Sequence, residues 1–194
     1  AAAGASGHAE IYTKIGRLIR EPDGSGPCAV GFEQPGATPP EDRYITNDYT
    51  AAGVTTSLEE SLERLRVEGV HTLRIHDPND NDTRDGSDEI ITATSAGGAV
   101  EQLVAMRESG ALTHVSLGMN SNDEEHQGVP TEIVRLIQSA PAGSFDSALL
   151  AGGWTLLTQA GLPCMLECQR SGVAVHVAGV FNTGLLVGKP RDCG

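Results

Sequence analysis

Apolar residues follow two different periods along this chain. Short, mostly apolar runs alternate with longer segments in which the apolar positions lie three or four residues apart. The short runs are typical of β-strands, and the longer pattern is typical of amphipathic helices. Strands are predicted at residues 9–15, 70–75, 112–117, 145–150 and 173–181, and the last run is apolar enough for a strand buried on both faces.

Helices are predicted between these strands. In the first helix, apolar residues recur at helical spacing from Val54 to Leu65, and the pattern ends near Arg66. Thr56 and the four residues after it offer a capping box. A second helix passes through Ala99, Leu103 and Met106 and ends at Gly110, and two more are predicted at residues 132–139 and 158–171.

Two segments are predicted to be loops. Residues 21–44 are rich in Pro and Gly, which break regular structure. Residues 77–88 are acidic and read as a solvated loop. Part of that loop, from Asn79 to Gly86, resembles a calcium-binding loop, but its acidic residues do not have the spacing of EF-hand ligands. We therefore assign no calcium site to it.

Strands and helices thus alternate five times, which predicts a parallel sheet covered by helices. Such a sheet is either open and doubly wound or closed into a barrel. The open sheet that binds a dinucleotide usually carries a GxGxxG motif after its first strand, and this sequence has none.

The barrel is favoured by the residues that follow the predicted strands. In a (β/α)8 barrel the functional side chains lie at the carboxyl ends of the strands. Candidate residues stand at those ends here, namely Lys14, His76, Asp77, Asn120, Trp154 and Asn182. We therefore predict an α/β fold of the TIM-barrel type, with about five βα units of parallel strands and outer helices, in a single domain over residues 1–194.

Composition narrows the choice of partners and compartment. Acidic residues outnumber basic ones by 26 to 13 and no cluster of Lys and Arg occurs, which argues against nucleic acid as a partner. No apolar run approaches the roughly 20 residues needed to span a bilayer.

The cysteines have no CxxC spacing, so we expect free thiols in a reducing intracellular compartment rather than a disulfide framework or a zinc site. They are Cys28, Cys164, Cys168 and Cys193.

No metal site is predicted from the histidines, because those outside the candidate site are scattered without the spacing of ligands. They are His8, His71, His114, His126 and His176. The first residues contain neither an initiator Met nor the layout of a signal peptide. We expect that the gene product begins upstream of Ala1.

Six stretches resemble the successive strands and helices of the aldo-keto reductases, close to the aldose dehydrogenase branch of that family. The first three are similar to its TKVGR strand, its SLERL helix and its LIHDP strand end, and the others to its later strands, in the same order. Taken in order, they are spread over nearly the whole chain. They lie at residues 12–18, 57–65, 73–78, 116–120, 149–157 and 179–186.

The resemblance implies a chemistry and a set of roles. Aldo-keto reductases move a hydride between NADP or NAD and a carbonyl or alcohol carbon, while a Tyr transfers the proton. By resemblance, Lys14 is the catalytic Lys that favours the phenolate of this Tyr, and His76 is the catalytic His that orients the substrate oxygen. Trp154 would form a wall of the pocket for a sugar or aldehyde. The cofactor would be bound by Asn120, Phe181, Asn182, Thr183, Gly184 and Leu185.

The sequence also departs from the family. The catalytic Tyr and Asp belong to a DTAPxYG-like segment before the TKVGR strand, and no such segment is present. None of Tyr12, Tyr44 and Tyr49 lies in a matching motif, so none receives the proton-transfer role. The last strand and the basic segment that binds the adenosine ribose are likewise missing. Trp154 stands where the nearest relatives have Tyr, which changes the range of substrates that fit.

Three functions follow as hypotheses. The first is the visible part of an NAD(P)-dependent aldo-keto reductase. The second is a catalytically inactive, structural subunit of a larger assembly, in which other chains cover the exposed strand edges of a partial barrel. The third is a regulatory subunit that binds the nucleotide without turnover.

Overall fold

The computed structural model describes residues 10–20, 44–78, 88–120, 131–182 and 184–187. Five of the described strands form a parallel sheet and two form an antiparallel pair. The strands are β1 (Tyr12–Ile15), β2 (Arg17–Arg20), β3 (Tyr44–Asn47), β4 (Thr72–His76), β5 (His114–Asn120), β6 (Ser147–Ala151) and β7 (Ala174–Ala178). The helices are α1 (Ala51–Leu65), α2 (Glu89–Thr94), α3 (Ala99–Glu108), α4 (Thr131–Ser139) and α5 (Leu162–Arg170).

The parallel sheet has the order β1-β4-β5-β6-β7, so each strand lies beside the next one along the chain. An open doubly wound sheet would instead reverse direction at a switch point. The unbroken order is that of consecutive βα units in a barrel wall. The prediction of an α/β fold with a five-stranded parallel sheet and alternating helices is confirmed.

The two faces of the sheet differ in polarity. On one face, side chains such as Leu73, Ile75 and Leu117 are fully buried in a single apolar cluster with residues of the helices. The alternate residues of the same strands, among them Arg74 and His76, project from the opposite face. We call this second face the concave face, because it corresponds to the inside of a barrel.

The first helix begins earlier than the sequence indicated. Thr50 is its N-cap residue, and the Thr50 hydroxyl accepts a hydrogen bond from the Gly53 amide at 3.1 Å. The capping box at Thr56 is therefore wrong, since Thr56 lies inside the helix. The predicted end near Arg66 is confirmed, because Arg66 is the left-handed C-cap.

Three elements were missed by the sequence pattern. The pair β2 and β3 is antiparallel, and each of these strands is only four residues long. The predicted loop 21–44 therefore ends one residue too late, since Tyr44 opens β3, while residues 21–43 lie outside the described part. Helix α2 follows Asp88, whose carboxylate caps it by accepting from the Ile90 and Ile91 amides.

The acidic loop is corrected at both ends. Asp77 was expected to be solvated, but it is buried, and Asp88 caps a helix. The segment between them that resembled a calcium loop lies outside the described residues. In the described ranges no group of three or more His, Cys, Asp or Glu residues is arranged to hold a metal ion.

The last predicted helix and strand are both shorter than expected. Helix α5 begins at Leu162 instead of residue 158, and Pro163 fits in its first turn, where a missing amide hydrogen costs nothing. Strand β7 was expected to be buried on both faces, but Ala174 and His176 are exposed. The reason is its position, because β7 is the last strand of the described sheet and pairs only with β6.

Cys164 and Cys168 lie on α5 as predicted, and both are free and buried. Cys28 and Cys193 lie outside the described residues. Among the described helices, none has the length and apolar character that crossing a membrane requires.

Candidate active site

Lys14 and His76 lie side by side at the carboxyl edge of the sheet. Lys14 is near the end of β1, His76 is the last residue of β4, and these two strands are parallel neighbours. The Lys14 Nζ and His76 Nε2 atoms are 3.2 Å apart. The structure thus brings together two residues that are 62 positions apart in the sequence. Their catalytic roles remain predictions.

Asp77 makes a second contact with the Nε2 atom of His76. Its Oδ2 atom lies 3.0 Å from His76 Nε2, and Arg17 Nη1 lies 3.7 Å from the same oxygen. One ring nitrogen either carries a proton and donates it or lacks one and accepts. His76 Nε2 therefore donates to Asp77 in one tautomer and accepts from Lys14 in the other.

The backbone around His76 is fixed by an unusual conformation. Asp77 has a φ of +44°, in the left-handed region, although it is not a glycine. Its amide donates to the Gly118 carbonyl at 3.1 Å, which ties the end of β4 to β5. This turn directs the Asp77 carboxylate back toward the imidazole of its own neighbour.

Tyr49 is hydrogen-bonded to the same end of β4. Its hydroxyl donates to the His76 carbonyl oxygen at 2.6 Å, and its side chain is buried. Burial raises the pKa of Tyr49 above its ordinary value, and the nearby Glu89 adds to that effect. Tyr49 therefore stays a neutral hydrogen-bond donor at physiological pH.

Gly16 leaves the space that the Tyr49 ring occupies. A Cβ atom at residue 16 would lie 2.1 Å from Tyr49 Cε1, and Gly16 has a φ of +107°. The sequence pattern indicates no role for Gly16 beyond following the first predicted strand, and it indicates none for Tyr49. A glycine at the junction of β1 and β2 is the one signal in the sequence that points to a close contact there.

The structure describes only some of the side chains that were predicted to bind the cofactor. Asn120 is the last residue of β5 and pairs in register with Ala151, but its side chain lies outside the described part, as does the whole of Thr183. Phe181 is 58% exposed and Leu185 is 70% exposed, in turns that follow β7.

Asn182 and Gly184 both have positive φ values, +47° and +90°. The Oδ1 atom of Asn182 is buried without a hydrogen-bond partner among the described residues. The amides of Gly184 and Leu185 donate within their own turns, to Phe181 and Asn182.

Trp154 lies in the segment that follows β6, half-buried against the apolar core. That segment meets the end of β7, because the Gly152 amide donates to the Ala178 carbonyl at 2.9 Å. The ends of β6 and β7 therefore form one group, and Lys14 and His76 form another. Measured along the sheet, three strand spacings, about 14 Å, separate β4 from β7. The sheet is curved, however, because Arg74 on β4 lies 3.4 Å from His176 on β7.

Comparison with known proteins gives relatives that are similar over most of this chain. The sequence is 28% identical over 177 residues to D-threo-aldose 1-dehydrogenase from a Pseudomonas species, covering 91% of this chain and 47% of that protein. It is 30% identical over 189 residues to pyridoxal 4-dehydrogenase from Microbacterium luteolum, covering 92% and 50%. The chain thus spans about half the length of the curated relatives it matches. No family model matches the sequence.

Solved structures share the fold. The glycerol dehydrogenase from Gluconobacter oxydans superposes with a TM-score of 0.63 at 18% identity, over 99% of this chain and 46% of that one. An aldo-keto reductase from Bacillus halodurans, solved in its holo form, superposes with a TM-score of 0.58 at 16% identity, over 95% and 47%. The sequence relatives and the shared fold both support the resemblance to the aldo-keto reductase superfamily that the motifs containing Lys14 and His76 indicated.

Proposed function

We propose that this chain forms part of an oxidoreductase that transfers a hydride between NAD or NADP and the carbonyl or alcohol carbon of a sugar or aldehyde. The observation that carries the proposal is the contact between Lys14 Nζ and His76 Nε2, 3.2 Å at the carboxyl edge of the sheet. Aldo-keto reductases hold their substrates at that edge, as barrels generally do.

Lys14 and His76 would act on the substrate oxygen. When a hydride reaches a carbonyl carbon, negative charge develops on the oxygen. An ammonium and an imidazole N–H placed within hydrogen-bond distance stabilise that charge more than they stabilise the neutral carbonyl. Both groups belong to strand ends that are tied together by backbone hydrogen bonds, so they need little rearrangement before they bind the oxygen.

The groups after β7 fit one part of a nicotinamide nucleotide. The exposed ring of Phe181 offers a flat apolar surface, and the buried, unpartnered Oδ1 of Asn182 offers an acceptor for an amide N–H. When bound, the nicotinamide supplies or accepts the hydride. Because the Gly184 and Leu185 amides already donate within turns, they would bind a pyrophosphate only after those turns open.

The structure describes the side chains of two tyrosines, Tyr12 and Tyr49, and neither hydroxyl donates to the side chain of Lys14 or His76. The hydroxyl of Tyr12 donates to Glu10 at 2.7 Å, a bond that raises the pKa of Tyr12, and the hydroxyl of Tyr49 donates to the His76 carbonyl. We therefore assign proton transfer to neither of them. Among the described residues, the Lys14 ammonium and the His76 imidazole are the groups that would donate hydrogen bonds to the substrate oxygen.

The substrate class is proposed from the relatives and from Trp154. Two relatives are a dehydrogenase of an aldose and a dehydrogenase of pyridoxal, by their names. Trp154 adds an aromatic wall at the end of β6, and aromatic side chains pack well against the apolar faces of sugars and of aromatic aldehydes. We propose both kinds of compound as substrates to test.

The full-length protein that contains this chain tests the proposal. It is incubated with NADPH and aldehydes, pyridoxal included, and with NAD or NADP and aldoses, while nucleotide oxidation or reduction is followed. Lys14→Met and His76→Gln should each lower kcat by roughly a hundredfold or more, because each removes a donor to the developing charge. Nucleotide affinity should change little.

Arg170→Met is the matched control, since Arg170 is exposed on α5 and contacts only Glu167 among the described residues. Its kcat should equal that of the parent protein. Absence of both turnover and nucleotide binding in the full-length protein would refute the proposal. Full activity of the Lys14→Met protein would refute the role of Lys14.

A second candidate is a structural subunit without activity. It is favoured by one observation, that among the described strands β1 pairs only with β4 and β7 only with β6. Unpaired strand edges attract other strands. Native mass spectrometry of the protein from its source would support this candidate by finding a polypeptide of about this chain's size, 20.2 kDa, bound to other chains. Nucleotide binding without turnover would instead favour a regulatory subunit.

A further inference from the structure

Arg74 occupies the middle of the concave face, where it pairs in register with Lys14 on β1. It lies on β4 two residues before His76, so both side chains project from the same face about 7 Å apart along the strand. Barrel interiors are usually filled by branched apolar side chains. A charged guanidinium is therefore unusual at that position.

The guanidinium is held in place by neighbouring strands. Its Nε donates to Ser116 Oγ at 3.0 Å, and Nη2 lies 3.4 Å from His176 Nδ1 on β7. Its Cζ lies 5.9 Å from the centre of the Tyr12 ring on β1. Gly118 makes room for its stem, because a Cβ there would be 2.6 Å from Arg74 Cδ. The charged group is thus preorganised rather than free to swing into solvent.

Ser116 is itself fixed. Its hydroxyl lies 3.1 Å from the Ser147 carbonyl and 3.0 Å from the Ser147 hydroxyl, and both serines are buried. These contacts tie β5 to β6 under the guanidinium. The cradle of Arg74 therefore includes residues of β1, β4, β5, β6 and β7, which is every strand of the described parallel sheet.

No carboxylate balances this charge among the described residues. Glu10, the acidic residue nearest in the sequence to Tyr12, is bound by the Tyr12 hydroxyl. Partial burial lowers the pKa of Arg74, in the direction expected when a cation loses water without gaining an anion. Within the described part, Nη1 has no hydrogen-bond partner, and Nη2 has only His176.

A second polar group on the same face also lacks a partner. His114 lies two residues before Ser116 on β5, and alternation along a strand places both on one face. The Nδ1 atom of His114 is buried and makes no hydrogen bond to any described residue. The concave face thus has hydrogen-bonding capacity beyond what its own residues use.

We propose that Arg74, which neighbours Lys14 and His76 on the concave face, is a carboxylate-binding site. A planar carboxylate matches the guanidinium fork with two parallel N–H bonds, and such pairs are among the strongest hydrogen bonds of proteins. The carboxylate comes from a small organic acid in solution, or from an Asp or Glu side chain elsewhere in the protein. The inference does not rest on the proposed hydride transfer.

The experiment uses the full-length protein with isotope-labelled arginine and nuclear magnetic resonance. A bidentate carboxylate separates and slows the exchange of the Arg74 Nη hydrogens, whereas those of a free guanidinium average rapidly. Acetate and succinate are titrated at constant ionic strength with chloride as the reference anion. Arg74→Lys identifies the Arg74 signals by their loss.

For a ligand from solution, we expect a saturable shift of the Arg74 signals and an affinity at least about tenfold weaker in Arg74→Met. For a carboxylate of the protein, we expect separated Nη signals without added acid, which collapse when a single Asp or Glu is changed to Asn or Gln. Arg66→Met, on the exposed C-cap of α1, is the control and should change neither readout.

Averaged Arg74 Nη signals that respond to no carboxylate would overturn the inference. So would an equal response to chloride, since chloride cannot form the two parallel bonds. Neither measurement requires turnover. A failure of the proposed oxidoreductase function and a failure of the carboxylate site are therefore distinguishable.

Discussion

Close contacts with neighbouring residues hold His76 in place. The Tyr49 hydroxyl fixes the His76 carbonyl, the Tyr49 ring occupies the space beside Gly16, and Asp77 turns back toward the imidazole. Each contact depends on a particular residue type, since a larger residue at 16 or a nonpolar one at 49 would break it. The position of the imidazole therefore depends on residues other than Lys14 and His76 themselves.

Gly16→Ala should destabilise the protein strongly. The new methyl group would overlap the Tyr49 ring, and residue 16 has a φ of +107°. We expect a loss of about 2 to 4 kcal/mol in the free energy of unfolding, from overpacking added to backbone strain. Chemical denaturation measures it.

Gly97→Ala is the matched control for that change. Gly97 also has a positive φ, +74°, but a Cβ there would meet no atom within 4 Å. It should cost only the strain, about 1 to 2 kcal/mol. Equal losses at both positions would contradict the proposed contact between Gly16 and Tyr49.

Cys164 should react slowly with thiol reagents in the folded protein. Its hydrogen bond with Cys168, together with burial, raises the pKa of Cys164, and the thiolate is the form that reacts. In a Cys28→Ser, Cys193→Ser background, labelling should be at least about tenfold slower than after unfolding.

The pH dependence of this labelling follows from the direction of the shift. A raised pKa keeps Cys164 protonated, so labelling should stay slow as the pH rises through about 8.5, where an ordinary thiol ionises. Mass spectrometry of the labelled peptide gives the rate. A rate that follows an ordinary thiol titration would show that the α5 cysteines are accessible.

At the scale of elements, helix α1 illustrates how a sequence signal can mislead. Both Thr50 and Thr56 precede helical patterns, and only Thr56 has Glu residues at the spacing of a capping box. Local side-chain contacts decide in favour of Thr50, because Asp48 orients it by accepting from its amide and its hydroxyl. The isolated pattern carried no information on that local network.

Thr50→Ala should therefore cost about 1 kcal/mol, through the loss of the hydrogen bond to the Gly53 amide. Thr56→Ala should change the free energy of unfolding by less than about 0.5 kcal/mol, because Ala is a good helix former inside a helix. Thermal unfolding of the two variants compares them directly. A larger loss for Thr56→Ala would restore the capping box that the sequence suggested.

Short strands explain most of the elements that sequence reasoning missed. β2 and β3 have four residues each, and their pairing joins segments on either side of residues 21–43. Periodicity needs several residues to emerge, so strands of this length leave little signal. The longer, strongly apolar elements such as β5 and α4 were located to within a few residues, because burial of one face dictates their pattern.

Across the whole molecule, the sequence predicted which residues meet at the carboxyl edge but not what supports them. Strand ends in a parallel sheet share an edge, so Lys14 and His76 could be placed together from the order of elements alone. The roles of Tyr49 and Asp77 could not, because they depend on a left-handed backbone turn and on ring packing across elements. Such contacts have no period in the sequence.

Hydrogen exchange should report the position of each strand in the sheet. Amides of β4 and β5 lie between paired strands above the buried core, so Leu73, Ile75 and Val115 should exchange among the slowest. Amides of β7 that point away from β6 should exchange much faster. Exchange as slow in β7 as in β5 would mean that another strand covers that edge.

Gly118 has a consequence for how this protein and its relatives vary. Its missing side chain is what allows Arg74 to cross β5, so the two positions are not independent. In homologues, a side chain at position 118 and a long one at position 74 should exclude each other, and the pair should covary. The polarity of the concave face would then change during evolution only when positions 74 and 118 change together.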